Sequence, residues 1–152
     1  MAMSRSKKPL IQPLVLDASV ILKWVLPADS EAFHSQAWAI GEAIHRKQVR
    51  VSVPGLWLYE VGNLLARKFP AQARDQLADL EIILGAGEII NADLMAEILR
   101  LVNRYSVTFY DAAYHGLAII QNALLITADE KYLRTVGKED CAIHLKDWQM
   151  EP

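Results

Sequence analysis

Three short segments constrain what this chain can become: the apolar runs Leu14 to Leu16 and Leu124 to Ile126, and the alternating valines Val49, Val51 and Val53. Each is too short for a helix and is bounded by breakers or polar residues, so each reads as a strand. Between them lie stretches whose apolar residues recur every three or four positions. Strands alternating with helices imply α/β layering around a central, mainly parallel sheet. In detail, Ser19 is expected to cap a short helix through Trp24, broken by Pro27. Ser30 should cap a second helix to about Lys47, with Phe33, Ala37, Ile40 and Ile44 on one face. Helices are expected from about Leu56 to Lys68 and from Pro70 to about Leu84, then a short strand at Glu88 to Ile90. A helix over Ala92 to Tyr105 turns Leu94, Ile98, Leu101 and Val102 inward. Another, capped by Thr108, runs to about Asn122. A helix at Glu130 to Val136 and an edge strand at Ala142 to His144 complete the reading.

A chain of 152 residues suggests one domain and buries roughly 68–70% of its unfolded surface. We place the domain at residues 14–148, with a short basic lead over 1–13 and a tail over 149–152. The lead, MAMSRSKKPLIQP, lacks the apolar core of a secretory signal. The apolar stretch from Ala112 to Ala128 is interrupted by His115, Gln121 and Asn122, so it reads as a buried helix running into a strand rather than a membrane span. Net charge is −2, which gives no global attraction to nucleic acid. One cysteine, Cys141, excludes an intrachain disulfide and a thiolate zinc site, and favours a reducing, cytoplasmic setting.

Four acids stand in four blocks: Asp17 in LVLDASVI, Glu60 in VPGLWLYEVGN, Asp111 in FYDAAYHGLA and Asp129 in LLITADEKYL. Each lies at or near the end of an apolar run. The plain structural reading is that acids suit helix N-termini; Asp129 makes an ordinary cap, and Asp111 three residues after Thr108 resembles a capping box. Glu60, inside an apolar stretch, resists that explanation. Ligands in open parallel sheets bind beyond the carboxyl ends of strands, where Asp17 and Asp129 fall. Two carboxylates about 5 Å apart repel by about 3 kcal/mol at an effective dielectric near 20. Protons or cations relieve such repulsion. An all-carboxylate set selects Mg²⁺ or Mn²⁺ over Zn²⁺, and such ions serve phosphodiester hydrolysis.

These blocks, in this order and spacing over Leu14 to Trp148, resemble those of PIN-domain ribonucleases, and most of all the VapC toxins of toxin–antitoxin pairs. The resemblance implies a three-layer α/β/α fold, Mg²⁺ or Mn²⁺ dependence, RNA cleavage, a homodimer and inhibition by a VapB-like antitoxin. It matches Asp17, Glu60, Asp111 and Asp129 to the family's catalytic and metal-binding acids. It matches Ser19, Asn63 and Thr127 to supporting positions. Their plain readings are a cap, a surface amide and a strand-end residue. His115 departs from the pattern and is read as a structural histidine.

Near the acids, Lys23, Arg67 and Lys131, with Lys68 and Arg134, are placed to hold RNA phosphates, and Trp24 to stack a base. The plain alternative is a solvated rim and a packed tryptophan. Apolar surplus between Phe33 and Leu84 would serve the antitoxin and a second subunit, or simply the core. A non-catalytic PIN-type RNA-binding or interaction module is the second functional reading; a missing acid would favour it, and none is missing. Haloacid-dehalogenase-like phosphatases need a second Asp where Ser19 stands. Response-regulator receivers need an acidic pair that is absent before Asp17.

Overall fold

In the computed structural model, which describes residues 11–150, the chain runs through four strands and seven helices. The strands are β1 (Gln12–Leu16), β2 (Val49–Ser52), β3 (Leu124–Thr127) and β4 (Ala142–His144). They form one sheet in the order β2-β1-β3-β4, with every neighbouring pair parallel. β1 is therefore central. The chain crosses to one side of it to make β2, then returns to the other side for β3 and β4. In open parallel sheets such a reversal is where ligands bind, here beyond the carboxyl ends of β1 and β3. The register sets Leu16 beside Ile126, and the Asp17 amide donates to the Ile126 carbonyl at 3.0 Å. Leu14, Val15, Leu16, Leu125 and Ile126 are all buried, so the sheet centre is apolar on both faces, as a helix-covered parallel sheet must be.

The helices are α1 (Ala18–Ile21), α2 (His34–His45), α3 (Trp57–Lys68), α4 (Ala73–Leu84), α5 (Ala92–Tyr105), α6 (Phe109–Ile120) and α7 (Glu130–Thr135). α5 buries Leu94, Ile98 and Leu101, as their spacing predicts, against α6. The two meet at Gly116, where an added Cβ would fall 3.3 Å from Ile98 Cγ1. α6 is apolar nearly all round and lies against β1 and β3. The α/β layering expected from the pattern, and the three-layer α/β/α fold that the resemblance implies, are what the chain adopts.

Several boundaries differ from expectation. Asp17, not Ser19, caps α1, and a 3₁₀ turn at Leu22–Trp24 follows. Ser30 does not cap α2; it ends a 3₁₀ turn and donates to the Pro27 carbonyl. α2 begins after Phe33, whose φ of 59° reorients the chain. Phe33 is consequently exposed, and Ala43 takes an inward place with Ala37 and Ile40. α4 starts at Ala73 rather than at Pro70. β1 begins at Gln12, inside the span read as a lead; residues 1–10 of that lead and 151–152 of the tail lie outside the described residues.

The strand expected at Glu88 to Ile90 is reduced to one bridge between Pro54 and Glu88, because two hydrogen bonds, Glu88 N to Val53 O and Gly55 N to Glu88 O, exhaust the pairing. Gly87 makes this contact possible. Its φ is 88°, and a Cβ there would sit 2.7 Å from Gly55 Cα. Gly87→Ala should destabilise the protein by about 1–3 kcal/mol from overpacking alone, with positive-φ strain in addition. Urea unfolding of the variant would check this.

Candidate metal centre

Asp17 leaves the end of β1 in an extended conformation and caps α1. Three donors converge on one of its oxygens, Oδ2: Ser19 Oγ at 2.5 Å, Thr127 Oγ1 at 3.1 Å and the Ser19 amide at 3.2 Å. Each hydroxyl also accepts a backbone amide. Ala128 N donates to Ser19 Oγ at 3.0 Å, and Asp129 N donates to Thr127 Oγ1 at 3.1 Å. Ser19 and Thr127 thus pass their single protons to Asp17 and satisfy the turn after β3 with their lone pairs. The geometry leaves Oδ1 for another partner. Burial still raises the Asp17 pKa, because desolvation outweighs these hydrogen bonds, and the charge of Asp129 adds to it.

Asp129 follows β3 and caps α7, accepting the Tyr132 amide at 2.9 Å. Asp111 stands in the first turn of α6, where its amide donates to Thr108 Oγ1 at 3.1 Å. Its pKa is raised by burial, against the Thr108 hydroxyl that lowers it, with Asp17 and Asp129 raising it further. Glu60 stands in the first turn of α3. Burial pushes its pKa up to about 7; the Tyr114 hydroxyl lowers it, and Asp17 and Asp111 raise it. The four acids from four elements therefore share one electrostatic neighbourhood. Among the described residues, no three His, Cys, Asp or Glu side chains close on a common point as a finished cage.

The residues present fit a hard divalent cation. Every donor is oxygen, Oε1 of Glu60 is buried with no hydrogen-bond partner, and mutual repulsion among the acids invites positive charge. An open spacing suits Mg²⁺, which keeps several waters and takes only one or two carboxylates directly.

The remaining residues divide. Ser19 and Thr127 support Asp17 as described. Asn63 is exposed, without a side-chain hydrogen bond among the described residues. Arg67, Lys68 and Lys131 are exposed; Arg134 is exposed too and lies 3.8 Å from Glu130. Lys23 corrects its reading as a phosphate contact: it is buried and paired with Glu31 at 3.4 Å. Trp24 is half-buried: its Nε1 donates to the Ala37 carbonyl at 2.7 Å and its ring lies beside Gly41, which fixes it as part of the packing between the Leu22–Trp24 turn and α2 rather than as a loose stacking platform.

His115 is structural. Its Nε2 must donate to the Asp140 carbonyl at 2.9 Å, so Nδ1 accepts from Tyr132 Oη at 2.8 Å. Burial lowers its pKa, which keeps the ring neutral. That contact ties α7 to α6. Glu139, in the following loop, accepts Arg100 through both guanidinium nitrogens and Tyr105 Oη at 2.8 Å, which anchors the loop to α5. Tyr114, beside Glu60, has no counterpart in the sequence reading. Its position three residues after Asp111, on the same face of α6, was the available signal.

Residues 14–138 match the PIN domain, and the chain belongs to that family, whose members are generally nucleases. No protein of curated function matches it by sequence. Solved structures that share the fold include the following three. A Pyrobaculum aerophilum protein is 23% identical, with a TM-score of 0.60, over 90% of this chain and 93% of that one. VapBC2 from Rickettsia felis, bound to a DNA fragment from its promoter, is 15% identical at a TM-score of 0.66, over 91% of this chain and 100% of that one. A toxin–antitoxin complex from Klebsiella pneumoniae is 16% identical at 0.61, over 87% and 97%.

A carboxyl whose folded pKa is raised stabilises the fold below its unfolded pKa and loses that contribution as pH rises through the folded value. The metal-free protein should therefore lose stability between about pH 4.5 and 7 as Glu60 ionises. Glu60→Gln should flatten that fall. Urea unfolding across this range in the presence of a chelator checks both.

Proposed function

We propose that this chain is an endoribonuclease that hydrolyses RNA phosphodiester bonds with Mg²⁺ or Mn²⁺, and is the toxin of a type II toxin–antitoxin pair. The observation that carries the reading is the placement of Asp17 and Asp129 beyond adjacent parallel strands, with Glu60 and Asp111 in the same field. Membership of the PIN family supports it.

Asp17, Glu60, Asp111 and Asp129 would hold the cation. When bound, it supplies an acidified water and charge neutralisation at the phosphate oxygens. The protein's own part is preorganisation. Ser19 and Thr127 hold Oδ2 of Asp17, which leaves Oδ1 to face the other acids. The Thr108 cap fixes the start of α6 and with it Asp111. The α7 cap fixes Asp129. Exposed Arg67 and Lys131 are the cations we assign to the RNA backbone; neither makes an ion pair among the described residues.

For the partner, we favour a VapB-like antitoxin, in keeping with the toxin–antitoxin complexes that share this fold. A groove of about 670 Å³ between α2 and α4 is lined by Trp38, Ile82 and Ile83, with Ile82 84% exposed. None of the four acids lines it. The apolar surplus foreseen over Phe33 to Leu84 is thus partly on the surface, and a homodimer would draw on the same kind of face. No helix among the described residues is long and apolar enough to cross a membrane.

Asp17→Asn and Asp111→Asn should each abolish cleavage of RNA while leaving the far-UV circular dichroism unchanged. Undiminished cleavage by either purified variant would overturn the assignment. Mn²⁺ at about 100 times its Kd should stabilise the wild type by roughly 2.7 kcal/mol. At about 2–4 °C per kcal/mol for a domain of this size, a thermal melt reads this directly.

A further inference from the structure

Two polar atoms at the acidic cluster are buried without a hydrogen-bond partner. One is Oε1 of Glu60 and the other is the hydroxyl of Tyr114. An ionised carboxylate can only accept; a phenol has one proton to give. Tyr114 is 1% exposed, so bulk water does not serve it. The two groups are near enough for each to perturb the other. Leaving such a buried donor and acceptor unmade is costly.

The other hydroxyls nearby are already committed. Ser19 and Thr127 give their protons to Asp17 Oδ2, and Tyr132 gives its proton to His115. Tyr114 alone of these four retains a proton for Glu60. It also stands one helical turn beyond Asp111 on α6, whereas Glu60 projects from α3. A hydrogen bond between them would couple the two acid-bearing helices, in the way the Ser19–Asp17–Thr127 contacts couple β1 to β3.

We propose that Tyr114 is the positioning residue of Glu60: its hydroxyl donates to Oε1, directly or through one water, and leaves Oε2 for the divalent cation. The cation half of this statement rests on the metal-nuclease reading, and the hydrogen bond does not. Partners that orient a metal-binding side chain without touching the metal commonly change affinity by about 10–100-fold when removed.

Phe at this position keeps the ring and its packing and removes only the proton. The test is a double-mutant cycle of Tyr114→Phe and Glu60→Met, read by urea unfolding of metal-free protein at pH 8, with Mn²⁺ titrations of the wild type and Tyr114→Phe. Tyr114→Phe should lower the unfolding midpoint in the wild type and leave it unchanged or raised beside Glu60→Met. Its Mn²⁺ Kd should rise about tenfold or more. Equal shifts in both backgrounds, or an unchanged Mn²⁺ Kd, would overturn the proposal. Coupling in a wild type that binds no Mn²⁺ would keep the hydrogen bond, and overturn both the positioning role and the metal reading.

Discussion

The convergence of three donors on Oδ2 of Asp17 is the contact on which the rest of the centre depends. It joins the end of β1, the first turn of α1 and the end of β3 through one carboxylate oxygen. A buried charge is tolerable only where polar groups replace its water. Here Ser19 and Thr127 replace it, and they satisfy the amides of Ala128 and Asp129 at the same time. The sheet register makes this possible, since pairing Leu16 with Ile126 brings Asp17 level with Thr127.

The centre is built outward from that contact with decreasing rigidity. Asp17 is held by side chains and backbone together. Asp111 and Asp129 are held through helix caps, at Thr108 and at Asp129 itself. Glu60 is held least, since its Oε1 has no partner. Burial pushes its pKa up to about 7, with the charges of Asp17 and Asp111 adding to the rise and the Tyr114 hydroxyl opposing it.

Much of this was legible in the sequence, for identifiable reasons. Asp17 and Asp129 end apolar strands, and strand ends in a parallel sheet point to one crevice. Thr108 and Asp111 have the spacing of a cap, and Leu94, Ile98 and Leu101 have the period of a buried helix face. What stayed hidden depends on three-dimensional partners. Ser30 looked like a cap, but Phe33 takes a left-handed turn that only tertiary packing selects. Lys23 and Trp24 looked available to a ligand, but Glu31 and the Ala37 carbonyl claim them. Tyr114 received no reading in the sequence: it sits in an apolar helix and is core apart from one oxygen.

The distance in sequence between Asp17 and Thr127 also governs when the centre exists at all. β1 and β3 are neighbours in the sheet, yet α1 through α6 and β2 lie between them in the chain. Pairings of that kind form only after long loops have closed. Until the segment bearing Thr127 inserts beside β1, Asp17 has neither its interstrand donor nor Asp129 beside it. A chain in which β3 has not yet paired with β1 therefore carries Asp17 without a finished acidic centre around it.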